Sequence, residues 1–382
     1  MIVLDGTLGE GGGQIVRTAL ALSTLTQEPF RVTDIRAGRP EPGLKMQHVH
    51  AIKALQTLTT AQADGAELGS QELLFIPKPL KGKSIAVDIE TAGSATLLLQ
   101  AVLLPCCFAD KAMTVEITGG TDVAWSMPID YLREVLVPHL RRWADIDVTL
   151  VKRGYYPAGG GNVKVRIKQR THRNDFATTA DFLKELAAQG PKLLLESQGH
   201  LSHIKGIAHA SKSLEDQRVA ARMTIEAQRA LIAQFKCPVQ IRTEYAETRS
   251  PGAGNTSKSG EPLPASAGAG ITLWAVCTQK QSDIDVANPI ILGADALSEQ
   301  GVPAEQVAKN AAQRLTEAIR SGAAADKYLA DNLVPWMGLF PGSALRASAI
   351  TPHTLTNIDV VKNFLPVEFF QEKNVLRSAS RA

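Results

Sequence analysis

The chain has 382 residues, 44% apolar and 21% charged, the balance of a soluble globular protein long enough for about two domains. A net charge of +3 permits a polyanionic partner without demanding one. The start carries no basic stretch of a secretory signal, the longest apolar run (95–109) is broken by Gln100 and Pro105 and is too short to span a bilayer, and the four cysteines have neither zinc nor disulfide spacing. These features predict a reducing cytoplasmic setting, or a nuclear one in a eukaryote.

The first pattern is Gly11-Gly12-Gly13 ahead of a helical run over 15–24, a strand over 30–35, a Gly/Pro-rich loop over 36–43 and a second helix over 45–58. The same grammar returns as Gly93, a helix over 95–108, a strand over 113–117, a loop over 119–122 and a helix over 129–143. Gly13 to Gly38 spans 25 residues and Gly93 to Gly119 spans 26, so two units about 80 residues apart read as a duplication. Residues 190–282 read differently. They hold strands over 193–195 and 204–208, a helix over 213–235, a strand over 239–243, a mobile Gly/Pro/Ser-rich loop over 249–270 and a strand over 271–277. That is the pattern of a small inserted α+β domain. A third, diverged unit follows, with a helix over 326–339, a strand over 344–350, the loop 351–353 and a helix over 355–364. The expected division is therefore a large domain of 1–189 plus 283–371, an insert of 190–282 and a polar tail of 372–382. If the units pack around one axis, the loops bearing Arg36, Arg39, Asp122 and His353 converge on one site.

Gly9-Glu10-Gly11-Gly12-Gly13-Gln14 opens a helix. Consecutive glycines let backbone amides approach a phosphate, and a helix N-terminus adds positive potential. The motif lacks the Lys-Ser/Thr of a P-loop and the spacing of a dinucleotide fingerprint, so a tight turn and a phosphate loop are equal readings. Arg17 lies one helical turn beyond, and Arg36 and Arg39 flank Ala37-Gly38. Guanidinium groups around such a loop suit a polyphosphate or an RNA phosphate end, although each taken singly reads as a solvated residue. Farther on, a Gly-Tyr-Tyr turn leads into a strand whose alternation puts Lys164, Arg166, Lys168 and Arg170 on one face. Such a face can follow an RNA backbone, and more often is simply solvated. His353 sits on the loop of the third unit between Pro352 and Thr354; His48 and His50, after the arginine loop, are its rivals.

Together these residues resemble the RNA 3′-terminal phosphate cyclases from about residue 2 to about 368. The resemblance rests on Leu-Asp-Gly-Thr-Leu-Gly-Glu-Gly-Gly-Gly-Gln (4–14), Arg-Ala-Gly-Arg (36–39) with Gln47-His48, Gly-Ser-Ala-Thr (93–96) with Gln100, and Gly-Gly-Thr-Asp (119–122). It continues through Gly-Tyr-Tyr-Pro-Ala-Gly-Gly-Gly (154–161), Tyr-Leu-Ala-Asp (328–331), and His353 with Leu-Thr-Asn-Ile (355–358). No single motif decides; seven in order do.

The resemblance implies an α/β (α+β) fold whose large domain has three βαβαββ-type repeats, with a small α+β domain inserted before the third. It implies ATP and a divalent metal (Mg or Mn) as cofactors, an RNA with a 3′-terminal phosphate as partner, and no membrane. His353 would accept AMP from ATP, pass it to the RNA 3′-phosphate, and the neighbouring 2′-OH would close a 2′,3′-cyclic phosphate. Glu10 would lie by the metal and triphosphate, with Arg17, Arg36, Arg39 and His48 in the catalytic set. Gln100, Pro128, Tyr328, Asp331 and Asn332 would form the nucleotide pocket, Pro128 and Tyr328 on the two faces of the adenine. Two places depart from the family's pattern: Asn332 stands where bacterial members tend to carry Gln, and residues 123–127, with Trp125, are unusual ahead of Pro128. A relative that works in pre-ribosomal RNA processing lacks the nucleophilic histidine, and the enolpyruvyl transferases lack the insert; both are alternative classes.

Overall fold

A computed structural model describes residues 1–248, 266–279 and 284–381. The first sheet takes β1 (Ile2–Asp5), β2 (Phe30–Thr33), β3 (Gln62–Asp64) and β4 (Leu73–Ile76), with α1 (Gln14–Thr26) and α2 (Met46–Thr59) on its connections. Its strand order is β1-β2-β4-β3, parallel in the first pair and antiparallel in the others. The second sheet repeats this order as β5 (Ile85–Asp88), β6 (Met113–Gly119), β8 (Gly161–Gln169) and β7 (Ala144–Lys152). Its helices are α3 (Ala95–Cys106) and a pair, α4 (Ile129–Tyr131) and α5 (Val137–Leu140), joined by a π turn over Leu132–Leu136. Pro138 accounts for that widening: it has no N–H to donate, and its ring would press on the carbonyl of Glu134, four residues back.

After α6 (Thr179–Gln189) and the short β9 (Leu194–Leu195), the chain builds a separate sheet. Its strands are β10 (His200–Ser211), β11 (Val239–Ala246), β12 (Ala269–Thr278) and β13 (Ile290–Leu297), in the order β11-β10-β12-β13. α7 (Val219–Gln234) and α8 (Ala304–Arg320) pack on it and on each other. The remaining elements are α9 (Lys327–Leu339), β14 (Ala344–Arg346), α10 (Pro352–Phe364), β15 (Val367–Glu372) and β16 (Val375–Ser380). They complete a sheet of order β9-β14-β16-β15, with β9 parallel to β14. All three sheets outside the separate one thus share a single strand order.

The boundaries differ from those expected at 190, 282 and 372. β9 belongs with β14, while β13 and α8 belong with the separate sheet. A two-residue strand whose partner lies far along the chain carries no local signal of that pairing. The expected polar tail is instead β16, with Leu376 and Ser378 buried on its inner side. Its small polar residues hide the alternation that marks a strand. Residues 249–265 of the expected mobile loop lie outside the described residues. Among the described residues no helix is long and apolar enough to cross a membrane.

α1 packs against α3 and α10, and α10 against α9. Every residue of α1 except Arg17 is buried, as befits a helix surrounded on all sides. Removing one of its leucine side chains, Leu22 for example, would cost about 2–5 kcal/mol. The one exception, Arg17, is half-buried, and the site uses it together with Gln14 and Thr18 of the same helix.

Candidate active site

The glycine-rich loop between β1 and α1 lies against the start of α10. Gly9 and Gly11 take left-handed backbone, φ +60° and +56°, which glycine adopts without strain. A Cβ at Gly9 would collide with the Thr356 hydroxyl of α10, and one at Gly13 with the His48 ring and the Arg17 guanidinium. The glycines are therefore needed for close approach as well as for the turn.

His353 is the second residue of α10. The helix start is held by a reciprocal cap: Thr351 Oγ1 accepts from the Thr354 N–H at 3.0 Å, and Thr354 Oγ1 from the Thr351 N–H at 3.3 Å. Both hydroxyls donate to Asp331 Oδ1, that of Thr351 at 2.6 Å. Burial pushes the Asp331 carboxyl up, partly offset by these hydroxyls and by His353. The His353 carbonyl accepts from Gln14 Nε2 at 3.3 Å. With its backbone fixed, the imidazole presents Nε2 to Glu10 Oε2 at 3.0 Å, and both side chains stay about two-fifths exposed, 43% and 39%. Glu10 also faces Arg39 Nη2 at 3.6 Å.

A polar chain runs inward from there. Arg17 Nε donates to Gln100 Oε1 at 2.7 Å, and Gln100 Nε2 donates to Asn332 Oδ1 at 2.8 Å. Asn332 in turn donates to the Tyr328 carbonyl at 2.7 Å. Burial, and then Arg36, bring the Arg17 guanidinium down to about 10, so it remains a cation near neutral pH. Arg17 Nη1 lies 3.3 Å from His48 Nε2. Burial, followed by Arg17, Arg36 and Lys45, holds His48 well below its usual pKa. Its Nδ1 accepts the Lys45 N–H at 3.0 Å, so the neutral ring carries its proton on Nε2. His48 has no free lone pair and is 1% exposed. The His48 ring is thus closed to nucleophilic attack, whereas the His353 ring is exposed.

The other expected residues fall around this centre. Arg36 has left-handed backbone, φ 57°, and its guanidinium, lowered by burial and then by Arg39, reaches the Glu41 carbonyl at 3.5 Å. Tyr328 is 44% exposed on α9. Pro128 is buried at the head of α4, and the Tyr131 hydroxyl three residues on donates to Asp326, the N-cap of α9, at 2.7 Å. That bond ties the Pro128 helix to the Tyr328 helix. His50, the other rival, shows an unpartnered Nε2 and no contact with this group.

Asp122 does not converge with the other loop residues. It is buried beside Arg153, whose guanidinium bonds Asp122 at 3.1 Å, Asp130 at 2.6 Å and Glu244 at 2.8 Å. Asp122, Asp130 and His209 lie close enough to share an ion, yet the Arg153 cation already sits on both carboxylates. Lys164, Arg166, Lys168 and Arg170 are exposed on one face, as alternation requires. Lys164 pairs with Glu116 at 3.4 Å and Arg170 with Asp145 at 2.6 Å, so this face is solvated and partly neutralised. Three contributors stand in the sequence motif around His353 but carried no expected role there: Thr351 and Thr354, which the Thr-x-x-Thr spacing signals as a cap, and Asn357, which receives the Thr18 hydroxyl at 2.8 Å and donates to the Asp331 carbonyl at 3.0 Å.

The sequence pattern of one family, the RNA 3′-terminal phosphate cyclases, matches residues 8–370. The chain is 39% identical over 366 residues to the RNA 3′-terminal phosphate cyclase of Pyrococcus abyssi, covering 96% of this chain and 93% of that one. It is 39% identical over 373 residues to the protein of that name from Methanopyrus kandleri, covering 96% and 94%. Against that from Hyperthermus butylicus it is 39% identical over 370 residues, covering 96% and 92%. Near-complete coverage, the repeated sheet order and the meeting of the glycine loop with His353 lead to one conclusion: this chain belongs to the RNA 3′-terminal phosphate cyclase family.

Proposed function

We propose that the protein uses ATP to convert an RNA 3′-phosphate into a 2′,3′-cyclic phosphate, with His353 as the carrier of AMP. The observation that carries this reading is the pairing of a half-exposed His353, at a helix N-terminus, with Glu10 of the glycine-rich loop at 3.0 Å. Two features support bound phosphate groups. The Nε atoms of Arg36 and Arg39 are buried without a partner, and the His48 Nε2–H and Arg17 Nη1 face each other as two donors. Phosphate oxygens would satisfy all of them.

In the first step Glu10 turns from the ring to the phosphate side and the ring proton sits on Nδ1, so that the lone pair of His353 Nε2 attacks the α-phosphorus of ATP, the N–P bond forms, and pyrophosphate leaves with the bridging oxygen. The α10 N-terminus favours the anion held beside it. Glu10 is the carboxylate that would hold a divalent ion together with phosphate oxygens, and such an ion would offset charge on the transferred group. In the second step an oxygen of the RNA 3′-phosphate attacks the same phosphorus and the imidazole leaves. The third step is attack by the ribose 2′-OH on the RNA phosphorus, which expels AMP and closes the cyclic ester. Arg17 and Arg39 supply fixed positive charge at the ATP phosphates, and Arg36 at the RNA phosphate.

Product analysis tests this. An RNA oligonucleotide with a 3′-phosphate, incubated with ATP and Mg²⁺, should become resistant to phosphatase while ATP yields AMP and pyrophosphate. Release of ADP, or no change at the RNA end, would overturn the proposal.

A further inference from the structure

Trp125 stands apart from the other tryptophans. Trp143, Trp274 and Trp336 are buried, at 3%, 7% and 4% exposure, whereas Trp125 is 100% exposed. Its backbone is left-handed, φ 63°, a conformation that a bulky residue rarely takes. The short loop is fastened on both sides of it. Ser126 Oγ donates to the Val123 carbonyl at 2.8 Å, Thr96 Oγ1 donates to the Met127 carbonyl at 2.6 Å, and the Ile129 N–H donates to the Thr121 carbonyl at 3.0 Å. A strained, pinned loop that holds a large aromatic ring out into solvent is costly unless the ring has a use.

The position indicates the use. Thr96 and Gln100 lie one turn apart on the same face of α3. Gln100 binds Arg17 and Asn332, the inner chain of the site, and the Trp125 loop runs directly into Pro128. Trp125 thus stands three residues ahead of Pro128, on a loop bonded to the α3 face that carries Gln100. We propose that Trp125 is a stacking platform for a base of the RNA strand next to its 3′-phosphate end. This rests on the function proposed above, in which the adenine of ATP occupies the pocket at Pro128 and Tyr328, leaving the Trp125 loop for the second substrate. Every base offers a flat π-face, so such a platform grips RNA without reading its sequence.

Because only Trp125 is exposed, its fluorescence can be read selectively with acrylamide as collisional quencher. A short RNA with a 3′-phosphate should change its emission and shield it from acrylamide. The same RNA with abasic sugars at the last two positions should bind roughly tenfold or more weakly and leave Trp125 open to quencher. In steady state, Trp125→Ala should raise KM for RNA by about tenfold or more, leave KM for ATP within twofold, and be rescued by Trp125→Phe. Shielding by AMP or ATP alone would make the ring an adenine contact and overturn the inference, as would an unchanged KM for RNA. The binding arms need no turnover, so failure of the cyclase reading would appear separately, as absence of product from wild-type enzyme that still shields Trp125 on adding RNA.

Discussion

At position 353 the decisive property is an accessible ring. His48 spends Nδ1 on the Lys45 amide and is buried, whereas His353 has its backbone fixed by Gln14 and its Nε2 turned toward Glu10. The two loop arginines divide in the same way. Arg39 faces Glu10, and so stands one contact from His353, while Arg36 turns to the Glu41 carbonyl and acts on Arg17 by charge. Arg36→Ala should therefore spare AMP uptake and slow transfer to RNA by about tenfold or more, and Arg39→Ala should slow AMP uptake. Single-turnover measurement of the two half-reactions separates them; loss of only the ATP step in Arg36→Ala would show the assignment to be reversed. The glycines and His353 were legible in the sequence as loop residues opening helices. Their meeting was not, because Gln14 and His353 lie 339 residues apart and no local pattern encodes that contact.

The element that matters most is the first turn of α10. Thr351 both caps the helix and donates to Asp331, so Thr351→Ala removes two bonds at the point that orients His353. Stability should fall by about 1 kcal/mol, a typical cap loss, and AMP uptake should fall further than unfolding explains. Urea denaturation and label uptake on the same preparation check this; normal uptake in the destabilised variant would mean that the cap positions nothing. Helix starts were readable here from Thr, Pro and Gly signals. Helix ends and thin strands were harder: the π turn ahead of Pro138 cut the helix expected over 129–143, and β16 hid behind small polar residues.

For the whole molecule, three sheets share one strand order, whereas the edges of the separate sheet depended on pairings that only the folded chain makes. Burial in the assembled core also sets a pH response. His139 is fully buried, and burial, then Arg142, brings it down to about 3. Between that value and the unfolded value of about 6.5, the unfolded chain binds a proton that the folded chain refuses, so this histidine lowers stability as pH falls through that window. The slope is roughly 1 kcal/mol per pH unit. His139→Leu lacks the term, so its stability curve should be shallower by that amount between pH 6 and pH 4. Denaturant titrations of both proteins compare them directly, with all other titrating groups common to the two. Parallel curves would mean that His139 takes up its proton in the folded state.

The central claim is that His353 carries AMP. Protein incubated with α-labelled ATP and Mg²⁺ should retain label in an acid-labile, alkali-stable bond, and peptide mapping should put the adduct on His353. His353→Ala, folded as judged by its denaturation curve, should lose uptake by about a thousandfold or more. Near-normal labelling of that variant, or an adduct mapped to His48, would contradict the account.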